Sequence, residues 1–151
     1  MEALKALALA GMACWAGITA FFSFVAAPGL FRALERREAG ELVATLLPAY
    51  YQWGIALAGV AVGALVVLAA RASAGRLRHL VGAALGAVMV ACLAWALGVN
   101  LPEANRARRT GDDAGFAVAH RQAVRLNGLV LLCGVGVVLL EAFTPVSRRS
   151  R

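Results

Sequence analysis

Four long apolar blocks, at residues 4–27, 49–70, 80–101 and 116–143, alternate along the chain with short charged stretches. Each holds on the order of 22 residues or more, enough to cross a hydrocarbon core of roughly 30 Å at about 1.5 Å per residue. The apolar positions surround each predicted helix instead of forming a 3.6-residue stripe. Helices of that kind are buried deeply or face lipid, and four in so short a chain cannot all hide in one core. The pattern predicts an all-α integral membrane four-helix bundle, one membrane domain over 1–151.

The junctions refine this. Lys5, near the start of the first block, precedes a run of about 22 mostly apolar residues, longer than the apolar region of a secretory signal and read as an uncleaved helix. Residues 28–48 alternate charge with apolar positions. Leu30, Leu34, Leu42 and Leu46 could share a face opposite Arg36, Arg37, Glu38 and Glu41, which predicts a short interfacial amphipathic segment between helices one and two. Pro48 suits the first turn of the second span, and Tyr50, Tyr51 and Trp53 form an aromatic group of the headgroup level. Gly59 with Gly63, and Gly82 with Gly86, are two GxxxG pairs that suit close helix contact and a homodimer. Residues 71–79 form a short basic loop. Residues 103–115 form a charged loop in which Asp112 or Asp113 could cap the fourth helix, whose apolar core is 126–143.

Composition agrees with a bilayer. The chain is 62% hydrophobic and 15% charged, against about 25% charged in soluble domains. Its mean hydropathy is +0.77. The net charge of +7 sits in arginine clusters at the block ends, which serve topology and anionic headgroups and argue against nucleic acid as a partner. One side of the membrane would carry Lys5, Arg71, Arg76, Arg78, Arg148, Arg149 and Arg151. The other would carry Arg32, Arg36, Arg37, Arg106, Arg108, Arg109, Arg121 and Arg125. These sets nearly balance. The basic 71–79 loop is the shortest, and short loops follow the positive-inside rule best, so both termini are assigned to the cytoplasmic side of a bacterial cytoplasmic membrane.

Helix direction brings the polar residues of the spans to one membrane face. The candidate polar site there is Arg32, Tyr50, Gln52, Asn100, Arg106, His120, Arg125 and Asn127, with Pro28, Tyr51, Asn105 and Arg121 near it. His120 and Asn127 share a helix face about 10 Å apart. Polar groups at membrane depth seek partners inside the bundle, and an Asn100–Asn127 pair is the first expected. His120 could carry a proton or bind a ligand, with an arginine on an anionic headgroup or carboxylate. Interhelical hydrogen bonding and interface anchoring explain the same residues without a site. His79 falls on the opposite face, and Glu141 is a lone acid beside an apolar block. Cys14, Cys92 and Cys133 lie roughly 12–18 Å deep and could share a layer, though a cysteine is also a small core hydrophobe. No zinc spacing, disulfide framework, nucleotide loop or Ser-His-Asp order is present, and no cofactor or catalytic residue is assigned.

The stretch FFSFVAAPGLFRALERREAGELVATLLPAYYQWG resembles the signature of the transmembrane protein 205-like family, a domain of unknown function. The matching positions are Phe31, Leu34, Ala39-Gly40 and Pro48-x-Tyr50, followed by Asn100, Pro102, Phe116, His120 and Asn127. Leu47 stands where relatives tend to have Phe, and the long polar insertion of animal relatives is absent. The resemblance implies four membrane helices and supplies no catalytic residues. A more distant likeness is to anthrone oxygenase-like membrane proteins, which also show a late His and Asn. The expectation is a membrane protein that binds a lipid, small amphiphile or partner. The alternative is a small oxidoreductase or oxygenase-like enzyme using His120, and a transporter is third.

Overall fold

The computed structural model describes residues 1–143, and these are helical from Glu2 to Ala142 apart from short turns. The elements are α1 (Glu2–Phe21), α2 (Ala27–Ala33), α3 (Arg36–Arg71), α4 (Arg76–Trp95), α5 (Leu101–Thr110) and α6 (Asp113–Ala142). A π-helical turn joins α1 to α2 at Phe22–Ala26, and a second joins α4 to α5 at Ala96–Asn100. The expected basic tail with Arg148, Arg149 and Arg151 lies outside the described residues.

Four continuous units, Glu2–Ala33, Arg36–Arg71, Arg76–Thr110 and Asp113–Ala142, are each long and apolar enough to cross a membrane. They are roughly 45–54 Å long at about 1.5 Å per residue, well beyond the hydrocarbon core. Each span packs on the next, and the fourth closes against the first, giving an up-down-up-down ring. Trp53 and Trp95, 66% and 51% exposed, point outward near one end. From Trp53 to Arg71, and from Arg76 to Trp95, the helices cover roughly 27–29 Å, the height of a bilayer core between an aromatic belt and a basic rim.

The core is built on close approach. Met12, Trp15, Leu65, Met89 and Val137 are fully buried, with Ala58, Ala61, Ala64 and Ala83 between them. Trp15 lies over Gly54 so closely that a Cβ there would fall within its indole ring. Gly82 and Gly86 are buried against Leu65, Val62, Met12 and Glu141, so this GxxxG pair serves packing within the chain. Gly59 and Gly63 face outward with open space around them.

The two hairpins share a local design. Pro28 and Pro102, 74 residues apart, each follow a π turn that lies at the same distance before them. Proline lacks an N–H and crowds the carbonyl four residues earlier, and a wider turn relieves both. Ala27 N–H accordingly donates to Phe22 O, and Leu101 N–H to Ala96 O. The buried positions of the two helices keep the same offset: Ala8, Met12, Trp15 and Thr19 match Gly82, Gly86, Met89 and Leu93. Spans one and three run in the same direction, as in parallel repeats.

Segment boundaries differ from the sequence reading. Residues 28–48 are helical, and Leu34, Leu42 and Leu46 face outward as an interfacial stretch would have them. They are continuous with the flanking spans instead of free-standing, with a break only at the extended Leu34–Glu35 pair. Pro48 therefore lies inside α3. The helix survives because its first turns are held from outside: Ala39 is fully buried, and Arg108 Nη1 donates to Gly40 O at 3.0 Å. The expected 103–115 loop is mostly α5, ended by Gly111 at φ +69°, where a side chain would be strained. Asp112 caps α6 as expected, its Oδ1 accepting from Gly115 N at 2.9 Å. Asp112→Ala should lower stability by about 1 kcal/mol, read as a shift in thermal melting in detergent.

Candidate functional site

Between the first and fourth spans, on the membrane face where polar residues converge, the bundle is open. The gap exists because α2 leans on α3 and leaves α6 uncovered, whereas α5 packs along α6. The result is a lateral cleft of about 670 Å³, inside the range of ligand pockets, ~300–1,000 Å³. Along α6 it runs from Leu131 to Phe116, roughly 22 Å at helical rise. One wall is Phe22, Ser23, Phe24, Pro28 and Phe31. The floor is Val43, Leu47, Tyr51 and Asn100, and Arg36 stands at the mouth. Both π turns contribute to it, and such turns gather at functional sites.

Three sequence-derived candidates line this cleft: Asn100, His120 and Asn127. The expected Asn100–Asn127 pair does not form. Asn100 is the last residue of the second π turn, and, buried there, it donates instead to Ala119 O at 3.0 Å and to Gln122 Oε1 at 3.3 Å. His120 stacks on Phe116 with ring centroids 6.2 Å apart, and Arg108 lies 5.5 Å from the centroid of that phenyl ring. Ser23, His120 and Asn127 have no side-chain hydrogen bond among the described residues.

The other candidates lie elsewhere. Tyr50 is buried beside the cleft, donating to Thr19 Oγ1 at 3.2 Å and packing on Trp15 and Phe22. Arg32, Gln52 and Arg125 are exposed and outside the cleft. Arg106 lines a separate shallow depression of about 510 Å³ between α5 and α6, with Glu103, Thr110 and Asp112. Pro28 and Tyr51, expected near the site, also line the cleft, whereas Arg36 and Ser23 were not in the predicted site. Arg36 and Tyr51 stood in the sequence as a polar face and an aromatic belt, and only the tilt of α2 puts them in one cavity.

The opposite end of the bundle holds a second polar cluster. Glu141, fully buried, accepts from His79 Nδ1 at 2.9 Å. Arg78 Nε lies 3.5 Å from its other oxygen, and Arg78 Nη2 is 3.5 Å from His79 Nε2. The Nδ1–H tautomer of His79 satisfies both of its contacts. Sequence reading had Glu141 alone, because its partners stand 62 residues earlier on another span. Glu141 Oε1 would lie 3.5 Å from a Cβ on Gly82, so the small residue makes room for the carboxylate. Of the three cysteines, Cys14 is exposed, Cys133 is buried and Cys92 is half-buried.

Four apolar spans closed into a ring, with a cleft open to one side, define a small multi-pass membrane protein. The chain belongs to the family described as Domain of unknown function (DUF4149), whose model matches residues 10–113. It is also similar to an uncharacterized protein of Aquifex aeolicus (strain VF5), 30% identical over 137 residues, which cover 91% of this chain and 96% of that protein. No solved structure matches it.

Proposed function

We propose that this protein binds a lipid or small amphiphile in the cleft between its first and fourth spans. The supporting observation is the set of unpaired polar side chains, Ser23, His120 and Asn127, in a cavity otherwise lined by Phe22, Phe24, Phe31, Leu47 and Leu131. Polar groups facing an apolar wall are costly without partners, and a ligand supplies them. An apolar body along the phenylalanines with a polar end at His120 fits that distribution.

Gly128 tests this. It lines the cleft and has open space where a Cβ would stand, so Gly128→Trp adds a bulky side chain to the cavity wall at a position that tolerates a Cβ. Native mass spectrometry of detergent-purified protein should show a retained small lipid in wild type and at least a tenfold loss in Gly128→Trp. Gly59→Trp, on the open outer face, is the matched control and should retain it. Equal retention in all three would overturn the reading.

The same proposal takes the transmembrane protein 205-like resemblance as a wider kinship, sets the protein in a bacterial cytoplasmic membrane with both termini cytoplasmic, and allows a homodimer through Gly59 and Gly63. The Aquifex relative and the short α3–α4 turn, flanked by Arg71, Arg76 and Arg78, support the setting.

One observation favours an enzyme instead. His120 has no hydrogen-bond partner among the described residues and opens into a cavity, where it could move a proton on a bound substrate. His120→Gln separates the two. A binding role tolerates the amide, whereas an oxygenase-like enzyme loses turnover with the fold intact.

A further inference from the structure

We propose that the cleft takes an amphiphile with an anionic head, a carboxylate or a phosphate ester, held at the mouth by Arg36 and His120. This rests on the cleft being a ligand site.

The charge on its walls is one-sided. Arg36 is a cation on the lining, and no aspartate or glutamate lines the cleft among the described residues. Glu35 and Glu38 adjoin Arg36 in sequence but are not part of the lining. The neighbouring Arg37 is engaged with Glu41 at 3.1 Å, while Arg36 makes no ion pair among the described residues. Arg36 is also the first residue of the long helix α3, whose N-terminal end carries partial positive charge. An anion at the mouth meets both. His120 adds a ring N–H on the facing helix, and Asn127 lies about 10 Å deeper on the same face.

Shape supplies the chain. The cleft runs roughly 22 Å along α6, a length that suits an extended alkyl chain lying along the helix. Phe22 and Leu131 line the deep end, with Ser23 and Asn127 beside them, and Arg36 and His120 stand nearer the mouth.

The experiment is equilibrium binding of three radiolabelled probes, palmitate, hexadecyl phosphate and hexadecanol, to the full chain in phosphatidylcholine nanodiscs. Wild type should bind palmitate or hexadecyl phosphate at one per chain, with hexadecanol at least tenfold weaker. The tighter of the two anions identifies the head. Arg36→Gln should weaken the anionic probe about tenfold and leave hexadecanol unchanged, while Arg32→Gln, outside the cleft, changes neither. Equal affinity for hexadecanol, or an anionic probe indifferent to Arg36→Gln, overturns the anionic head. If Gly128→Trp still blocks binding in that case, the cleft stands as a ligand site. Binding of every probe unaffected by Gly128→Trp overturns the cleft itself.

Discussion

Gly54→Ala should destabilise the bundle by about 3 kcal/mol, at the upper end of what overpacking a core does. The added methyl would fall within the indole ring of Trp15. That ring cannot step aside, because it is fully buried and packed on Tyr50 with centroids 4.7 Å apart. The two helices must separate, which loosens the contact between the first two spans along their length. Trp15→Leu in the same chain removes the obstacle. The pair of changes should therefore cost much less than the sum of the single effects, with a coupling of about 2 kcal/mol in a double-mutant cycle. Detergent-based unfolding followed by circular dichroism measures it. Additive effects would mean that Trp15 and Gly54 do not meet as described.

Glu141→Ala should be of similar or greater size, about 3–5 kcal/mol. Removing one member of a buried ionic group leaves the others without compensation. Here the group left behind is His79, 5% exposed, together with Arg78. Glu141→Gln should be milder, since an amide oxygen still accepts from His79 Nδ1. Replacing all three side chains with apolar ones, Arg78→Met, His79→Leu and Glu141→Leu, should restore most of the stability, because a buried ion pair is rarely worth more than good apolar packing. A triple variant as unstable as Glu141→Ala would show that the cluster does more than join spans three and four. Native retention of lipid by Glu141→Ala, at conditions where it is folded, checks that this end of the bundle is separate from the cleft.

The two clusters sit at opposite ends of one ring, and the packing explains why only one is open. At the Glu141 end, Gly82 and Leu65 close over the carboxylate. At the other end, the π turns and prolines direct α2 and α5 differently: α5 covers α6, and α2 does not. A cavity results where the first hairpin fails to repeat the packing of the second.

Much of this was legible in the residues. Apolar blocks of bilayer length announce membrane helices, because a backbone in lipid must satisfy its own hydrogen bonds and a helix does so locally. The arginine clusters and tryptophans mark where those helices leave the core, and Asp112 before Gly115 is a helix cap that needs no long-range partner. His120 and Asn127 on one face also follow from helical periodicity alone. These are local properties, readable within a few turns of chain.

The rest depends on which helix meets which, and at what rotation. Asn100 lies in the π turn ahead of Pro102 and meets Ala119 and Gln122 instead of Asn127, and that turn is a backbone choice that the composition of the stretch does not reveal. Glu141 seemed alone because His79 becomes its neighbour only when spans three and four pack antiparallel. Gly59-x-x-x-Gly63 and Gly82-x-x-x-Gly86 are alike as text, yet one faces outward and the other is buried. Arg36 joined the candidate site through the lean of α2. Sequence determined the four spans, since burial in lipid is a property of each segment by itself. Tertiary structure decided the partners and the cavity, since these depend on contacts between segments far apart in the chain.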